Sequence, residues 1–339
     1  MPELLIAAVV IAALFFDFVN GFHDTANAIA TSVLTRALSI PSAIAMAAGL
    51  NFLGALVGTH VAATIGKGIV DPSEVTALVV LAALIGAVLW NTVTWYWGLP
   101  SSSSHALIGG LVGAVSAAET SVGFQGGMLT YSYQYSVFNV HGLSKIGLAL
   151  VISPVAGLLA GFLLMIALMW IFRHFAPTKL NQWFRRLQVL SAASMAFSHG
   201  GNDAQKTMGI ITMALVAGGL LGSFEVPLWV KVLCAAVMAA GTAVGGWRII
   251  KTVGRKVMSL AAIHGFAAET SGALVIQTCT HIGAPVSTTH VISSCIMGVG
   301  ASRRLTAVRW RVAGQIVLAW IVTLPLCMAL GAIIYWVIS

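Results

Sequence analysis

The octapeptide GFHDTANA, residues 21–28, interrupts an apolar run that begins at Leu4 and resumes beyond it. His23, Asp24, Thr25 and Asn27 fall within five positions of a segment otherwise fit for hydrocarbon. An intramembrane carboxylate is costly to keep and marks a functional position by default. A related stretch, GGNDAQK, returns at residues 200–206, so that Gly21 corresponds to Gly200 and Asp24 to Asp203. A second polar pair follows in the same order: GLPSSSSHALIGG (98–110) corresponds to GAPVSTTHVISS (283–294). Pro100 then faces Pro285, Ser102 faces Ser287, Ser103 and Ser104 face Thr288 and Thr289, and His105 faces His290. The offsets, 179 and 185 residues, fit one duplication with a short insertion.

The surrounding composition is that of a membrane protein. Of 339 residues, 59% are hydrophobic and only 8% charged, with a mean hydropathy of +0.97. A soluble chain carries about 25% charged residues. Membrane spans are predicted at about 4–35, 39–66, 75–97, 101–118, 146–172, 187–217, 228–247, 257–281, 285–301 and 312–338. The first and sixth exceed one regular helix, and breaks are expected at their polar, Gly-containing motifs. The N-terminus lacks the basic region of a signal peptide and reads as the first span. Cys234, Cys279, Cys295 and Cys327 lie in apolar helical stretches without metal-like spacing and read as packing thiols.

The net charge of +8 reports orientation rather than nucleic-acid binding. Arg36, the 173–186 segment (Arg173, Lys179, Arg185, Arg186), Arg248, Lys251, Arg255, Lys256 and the group Arg303, Arg304, Arg309 and Arg311 share one face if the N-terminus is outside. That places 13 of the 17 basic residues in the cytoplasm. The predicted fold is an all-α polytopic membrane protein with about 10–12 transmembrane segments, including broken helices and helical hairpins. Residues 1–172 form a first repeat, 173–186 a cytoplasmic linker, and 187–339 a second repeat. Five crossings precede the second copy, so the copies are expected in inverted topology, the pattern of secondary transporters. The stretch 120–143, free of basic residues, is expected outside.

The motifs divide by charge preference. Pro-Ser-Ser-Ser-Ser-His and Pro-Val-Ser-Thr-Thr-His each read as a helix start, with proline in the first turn and hydroxyls beside free backbone N–H groups. Two such ends facing one another could hold a tetrahedral oxyanion; ordinary Ser/Thr capping is the plainer reading of either alone. Asp24 and Asp203, with Asn27 and Asn202 nearby, suit Na⁺ or a proton. Asp17 lies two turns before Asp24. Lys206 stands where the first copy has Asn27; it reads equally as an anion contact, a permanent charge in place of a coupling ion, or an ion pair with Asp203. Glu269 lies inside a span and is a further functional candidate, whereas Glu119 reads as a solvated end. His105 and His290 could bond the hydroxyls or relay protons, or simply pack. His23 has Asn202 as its counterpart and is not required by the symmetry.

GFHDTANAIAT and HGGNDAQK resemble the paired signature, usually written GANDVANA, of the inorganic phosphate transporter (PiT) family. GLPSSSSHALIGG and GFAAETSGALV with GAPVSTTHVISS resemble its two other signature regions, and the likeness to the short bacterial members covers nearly the whole chain. The resemblance implies phosphate import coupled to H⁺ or Na⁺, an inverted-repeat fold, a homodimer and the bacterial inner membrane, with no cofactor. It also implies anion contacts at Asp24, Ser102, Ser103, Asp203, Gln205, Ser287 and Thr288. Cation contacts are implied at Asn20, Asp24, Asn202 and Asp203, where Na⁺ would bind, with Thr25, Asn27 and Glu269 as further members. Two departures stand out: His23 replaces a small or amide residue, and Lys206 replaces the second asparagine. A lysine repels Na⁺, which argues against a symmetric two-sodium scheme and toward protons.

Other readings remain open from sequence. Sulfate is also a tetrahedral oxyanion. An anion channel would need no coupling ion. An intramembrane hydrolase using Ser103 or Ser104 with His105 is disfavoured, because adjacent helical side chains point about 100° apart.

Overall fold

The computed structural model describes residues 2–339 apart from 73, 126–127, 134–137, 246–248, 251 and 253–256. Arg248, Lys251, Arg255 and Lys256 of the expected cytoplasmic face lie outside the described residues. Eleven helices are described: α1 (Pro2–Leu34), α2 (Ile40–Ala55), α3 (His60–Gly68), α4 (Ala77–Trp97), α5 (Ser103–Ala118) and α6 (Val140–Ile171) in the first half. The second half holds α7 (Pro177–Ala217), α8 (Leu228–Val244), α9 (Ala262–His281), α10 (Thr288–Arg303) and α11 (Trp310–Ile338). A two-stranded antiparallel hairpin, β1 (Thr120–Gln125) with β2 (Met128–Tyr133), stands within the loop between α5 and α6. It is an exception to the expected all-α fold.

The expected breaks in the first and sixth spans are not found. α1 and α7 run through both polar motifs as continuous helices of 33 and 41 residues. Gly21 and Gly200 keep ordinary helical φ and serve instead as contact points. A methyl on Gly21 would strike the Met238 carbonyl of α8, and one on Gly200 the Asn51 carbonyl of α2. The polar neighbours also satisfy themselves within the helix, as Thr25 does by donating to the Gly21 carbonyl at 2.6 Å. The break falls in the second span, where α2 and α3 meet at 68° around Gly58, a residue with φ +79°.

Two helical hairpins follow one plan. α4 stops at Gly98 (φ +66°), the chain turns through Pro100, and α5 restarts with Ser102 as N-cap. α9 stops before Gly283 (φ +69°), turns through Pro285, and α10 restarts with Ser287 as N-cap. Left-handed glycine at a helix end and a proline just beyond it stop a helix cleanly. Both prolines therefore precede the caps rather than occupying the first turn, because the hydroxyl is the better N-cap. At 16 residues, α5 and α10 are about 24 Å long, short of the roughly 30 Å of hydrocarbon.

Among the described residues, α1, α4, α6 and α11 are long and apolar enough to cross a membrane, and the bent α2–α3 pair is a broken span or a re-entrant loop. α7 is too polar in its middle to pass that test, and its first ten residues, Pro177–Arg186, continue the expected linker as helix. Large apolar side chains of α6 (Val151, Leu159, Leu163, Trp170) and α11 (Leu318, Ile321) are exposed, as lipid-facing surfaces are.

Helix packing is pairwise matched between the halves. Gly241 abuts the Phe18 carbonyl and Gly54 the Phe197 carbonyl; Gly113 abuts Met328 and Gly298 abuts Leu158. The first two contacts join α1 to α8 and α7 to α2, and the other two join α5 to α11 and α10 to α6. Carbonyl-to-glycine approach of this kind is how helices associate tightly in lipid. It also brings α1, α5, α7 and α10 together at the centre.

Candidate functional site

Asn20, Asp24, Asn27 and Thr31 recur at helical spacing and line one face of α1; His199, Asp203 and Lys206 do so on α7. These stripes meet the N-terminal ends of α5 and α10. Ser103 Oγ donates to Asp24 Oδ2 (3.4 Å), and Thr289 Oγ1 to Asp24 Oδ1 (3.2 Å). Thr288 Oγ1 donates to Asp203 Oδ2 (2.9 Å). Asn27 Nδ2 donates to Thr289 Oγ1 (2.9 Å). Lys206 Nζ donates to Asp203 Oδ1 and Ser104 Oγ, both at 2.5 Å, and to the Val286 carbonyl at 2.7 Å. All of these side chains are buried.

Histidines flank both carboxylates. His23 Nδ1 lies 2.7 Å from Asp24 Oδ1, and His199 Nε2 lies 3.2 Å from Asp203 Oδ2. Asp24, His199 and Asp203 present ligand atoms within 4.8 Å of one another, a geometry able to hold a cation. Asp17, with Thr207 donating to it at 3.0 Å, adds a third carboxylate to the same core. The paired carboxylates Asp24 and Asp203 thus have one ammonium, bonded to Asp203, in a medium where unbalanced charge costs several kcal/mol. Arriving cations are favoured here, and an anion is favoured only in their company.

The sequence profile of the phosphate transporter family matches residues 20–331, which contain this centre apart from Asp17. The chain belongs to that family. A Bacillus subtilis (strain 168) protein described as "Probable low-affinity inorganic phosphate transporter" is 48% identical over 339 residues, 99% of this chain and 98% of its own. A Rhizobium meliloti (strain 1021) protein of the same description is 48% identical over 334 residues, 98% of this chain and 96% of its own. A solved structure described as "The sodium-dependent phosphate transporter" superposes with a TM-score of 0.87 at 26% identity, covering 98% of both chains. The relatives are named as transporters, in keeping with a protein that is not an enzyme.

Within this family member, the candidate residues do not all converge. Asp24, Ser103, Asn27, Asp203 and Thr288 share the central network. Ser102 and Ser287 are N-caps, their Oγ atoms accepting from the His105 and His290 amides at 3.1 and 3.3 Å. Thr25 bonds its own helix and, at 3.3 Å, the Thr242 carbonyl. Asn202 donates to Thr280 (2.8 Å), and Asn20 is buried with no partner for its Oδ1 among the described residues. Gln205 Oε1 accepts from the Val61 amide (2.9 Å) at the start of α3 and lines a cavity of about 140 Å³ with His60, Gln277, Thr280 and His281. Glu269 lies in a separate cluster, accepting from Thr31, from Ser191 (2.5 Å) and from Gln188 (3.2 Å).

His199, Thr289 and the bridging role of Ser104 were not singled out as site members from sequence. The repeat register held the signal, since it sets His199 opposite Asn20 and Thr289 opposite Ser104. The His105 and His290 rings lie 4.6 Å apart, and His290 stacks on Trp320 at 4.0 Å, one turn behind the hydroxyl ends.

Proposed function

We propose that this chain imports inorganic phosphate as a secondary active symporter, driven by H⁺ or Na⁺ and working by alternating access. The observation that carries the reading is the shared use of hydroxyls. Ser103 and Thr288, at the helix ends suited to an oxyanion, donate to Asp24 and Asp203. A cation that neutralises a carboxylate releases its hydroxyl to donate to a phosphate oxygen. Anion and cation then bind best together, which is coupling.

In this reading residues 1–172 and 187–339 are inverted repeats joined by the 173–186 linker, with the N-terminus outside the inner membrane. Rocking of one bundle against the other exposes the centre to each side in turn. The pairwise-matched glycine contacts support such a motion, since each half carries the same interfaces. Asn20, Asn202 and the Glu269 cluster serve the cation path, Gln205 lines the approach from the α2–α3 bend, and two copies of the chain form a homodimer.

The test is radiolabelled phosphate uptake into proteoliposomes under a Na⁺ or a pH gradient imposed separately, with sulfate and arsenate as competitors. Uptake above equilibrium that collapses with one gradient, inhibited by arsenate and not by sulfate, is expected. Flux that only equilibrates would make the protein a channel, and competition by sulfate would change the substrate.

A further inference from the structure

The two halves of the centre follow one contact rule in part. Ser103 donates to Asp24, and its counterpart Thr288 donates to Asp203. Asn27 donates to Thr289, and its counterpart Lys206 donates to Ser104, the counterpart of Thr289. The rule breaks at the next contact. Thr289 Oγ1 reaches Asp24 directly at 3.2 Å, whereas Ser104 Oγ turns to the Val286 carbonyl at 3.2 Å. Lys206 Nζ stands between Ser104 and Asp203, and it too reaches the Val286 carbonyl.

The three partners of that ammonium are a carboxylate, a hydroxyl and a carbonyl oxygen. These are the hard oxygen donors that a small cation recruits in a protein. At 3% exposure the group is closed off from bulk solvent. On the Asp24 side, among the described residues, no lysine donates to the carboxylate and the amide oxygens Asn20 Oδ1 and Asn27 Oδ1 are buried without partners. They lie on the same face of α1 as Asp24.

We infer that Lys206 is a tethered cation: it holds one of two counterpart cation positions permanently, so a single mobile cation, bound on the Asp24 side, accompanies each anion. This rests on the symport reading above. Lys206 still neutralises Asp203 and keeps Ser104 oriented, but its charge stays with the protein through the cycle. Each turnover therefore moves one cation fewer than a centre with asparagine in both places. A purely structural Asp203–Lys206 pair would leave that number unaffected by the identity of residue 206.

Lys206→Asn copies the first half into the second. Reversal potentials in proteoliposomes, with phosphate opposed to H⁺ and Na⁺ gradients in turn, give cations moved per phosphate. The expected values are about one for the native chain and about two for Lys206→Asn, the added ion being Na⁺. A ratio of two in the native chain, or an unchanged ratio in the variant, overturns the inference. A second measurement needs no transport: Na⁺ titrated against the melting temperature in detergent. Stabilisation of Lys206→Asn by millimolar Na⁺, at least tenfold more sensitive than the native chain, supports the tether even if the native chain fails to accumulate phosphate, which would sink only the symport reading. A Lys206→Asn protein that neither transports nor responds to Na⁺ overturns the tether.

Discussion

Asp24 and Asp203 hold counterpart places in the two halves yet are kept in different company. Asp24 is held by Ser103, Thr289 and His23, and among the described residues no lysine or arginine bonds it. Asp203 is held by Thr288, His199 and the ammonium of Lys206. The two acids recur in matching motifs, and Lys206, where the first motif has Asn27, is one of the residues that make their surroundings unequal. One carboxylate is neutralised in advance, and the other is left for whatever cation arrives. Helices that pack in matched pairs can thus present two acids in unequal surroundings.

The largest test of that contrast is stability. Asp203→Asn strands a buried ammonium, and removing one partner of a buried pair costs about 3–5 kcal/mol. Asp24→Asn takes the charge from an acceptor of two hydroxyls and strands no lysine, so the loss is about 1–3 kcal/mol. Both variants lose phosphate uptake, but only Asp203→Asn melts far below the native chain in detergent. Equal melting temperatures would mean that the pair at Asp203 is no more than a solvated contact. Combining Asp203→Asn with Lys206→Met sharpens the point, because the double variant should recover most of the lost stability.

Next in size is the pair of hydroxyls. Removing Ser103 or Thr288 by alanine takes one donor from the anion and one from the resting carboxylate. The phosphate KM should rise about tenfold in each case, equivalent to about 1.4 kcal/mol. The half-saturating cation concentration should fall for Ser103→Ala, because Asp24 then lacks a competing donor. Thr288→Ala should leave it unchanged, since Lys206 already occupies Asp203. Identical cation shifts in the two variants would erase the difference between the halves.

Much of this centre was legible before any coordinates. The apolar runs marked the helices, and the double recurrence of polar motifs brought Asp24, Asp203, Ser103 and Thr288 onto one list. What sequence hid was direction. Gln205 belongs to the motif by position but points its oxygen at the α3 backbone, and Glu269 forms a cluster of its own with Ser191 and Gln188. The expected helix breaks at Gly21 and Gly200 misread glycine as a hinge where a neighbouring backbone needed room. His199 escaped notice because it stands at the edge of its motif with Asn20 opposite, and nothing in residue type alone aims it at Asp203. Spacing says which residues recur; packing decides which face the centre.

The smallest effect separates a motif residue from a site residue. Thr25 sits beside Asp24, but its hydroxyl serves the Gly21 carbonyl at 2.6 Å and the Thr242 carbonyl at 3.3 Å, joining α1 to α8. Its counterpart is Ala204, and the matching α7–α2 contact holds without any hydroxyl there. Thr25→Ala therefore deletes a donor whose acceptors include a carbonyl in a helical turn, at a net cost of about 0.5–1.5 kcal/mol. Phosphate KM and cation dependence should match the native chain, with the melting temperature lowered by a few degrees at most. A shift in cation affinity would place Thr25 in the cation shell and make the Asp24 side richer in donors than the hydrogen bonds show. An unchanged affinity removes the Thr25–Ala204 pair from the differences between the halves that bear on the cation.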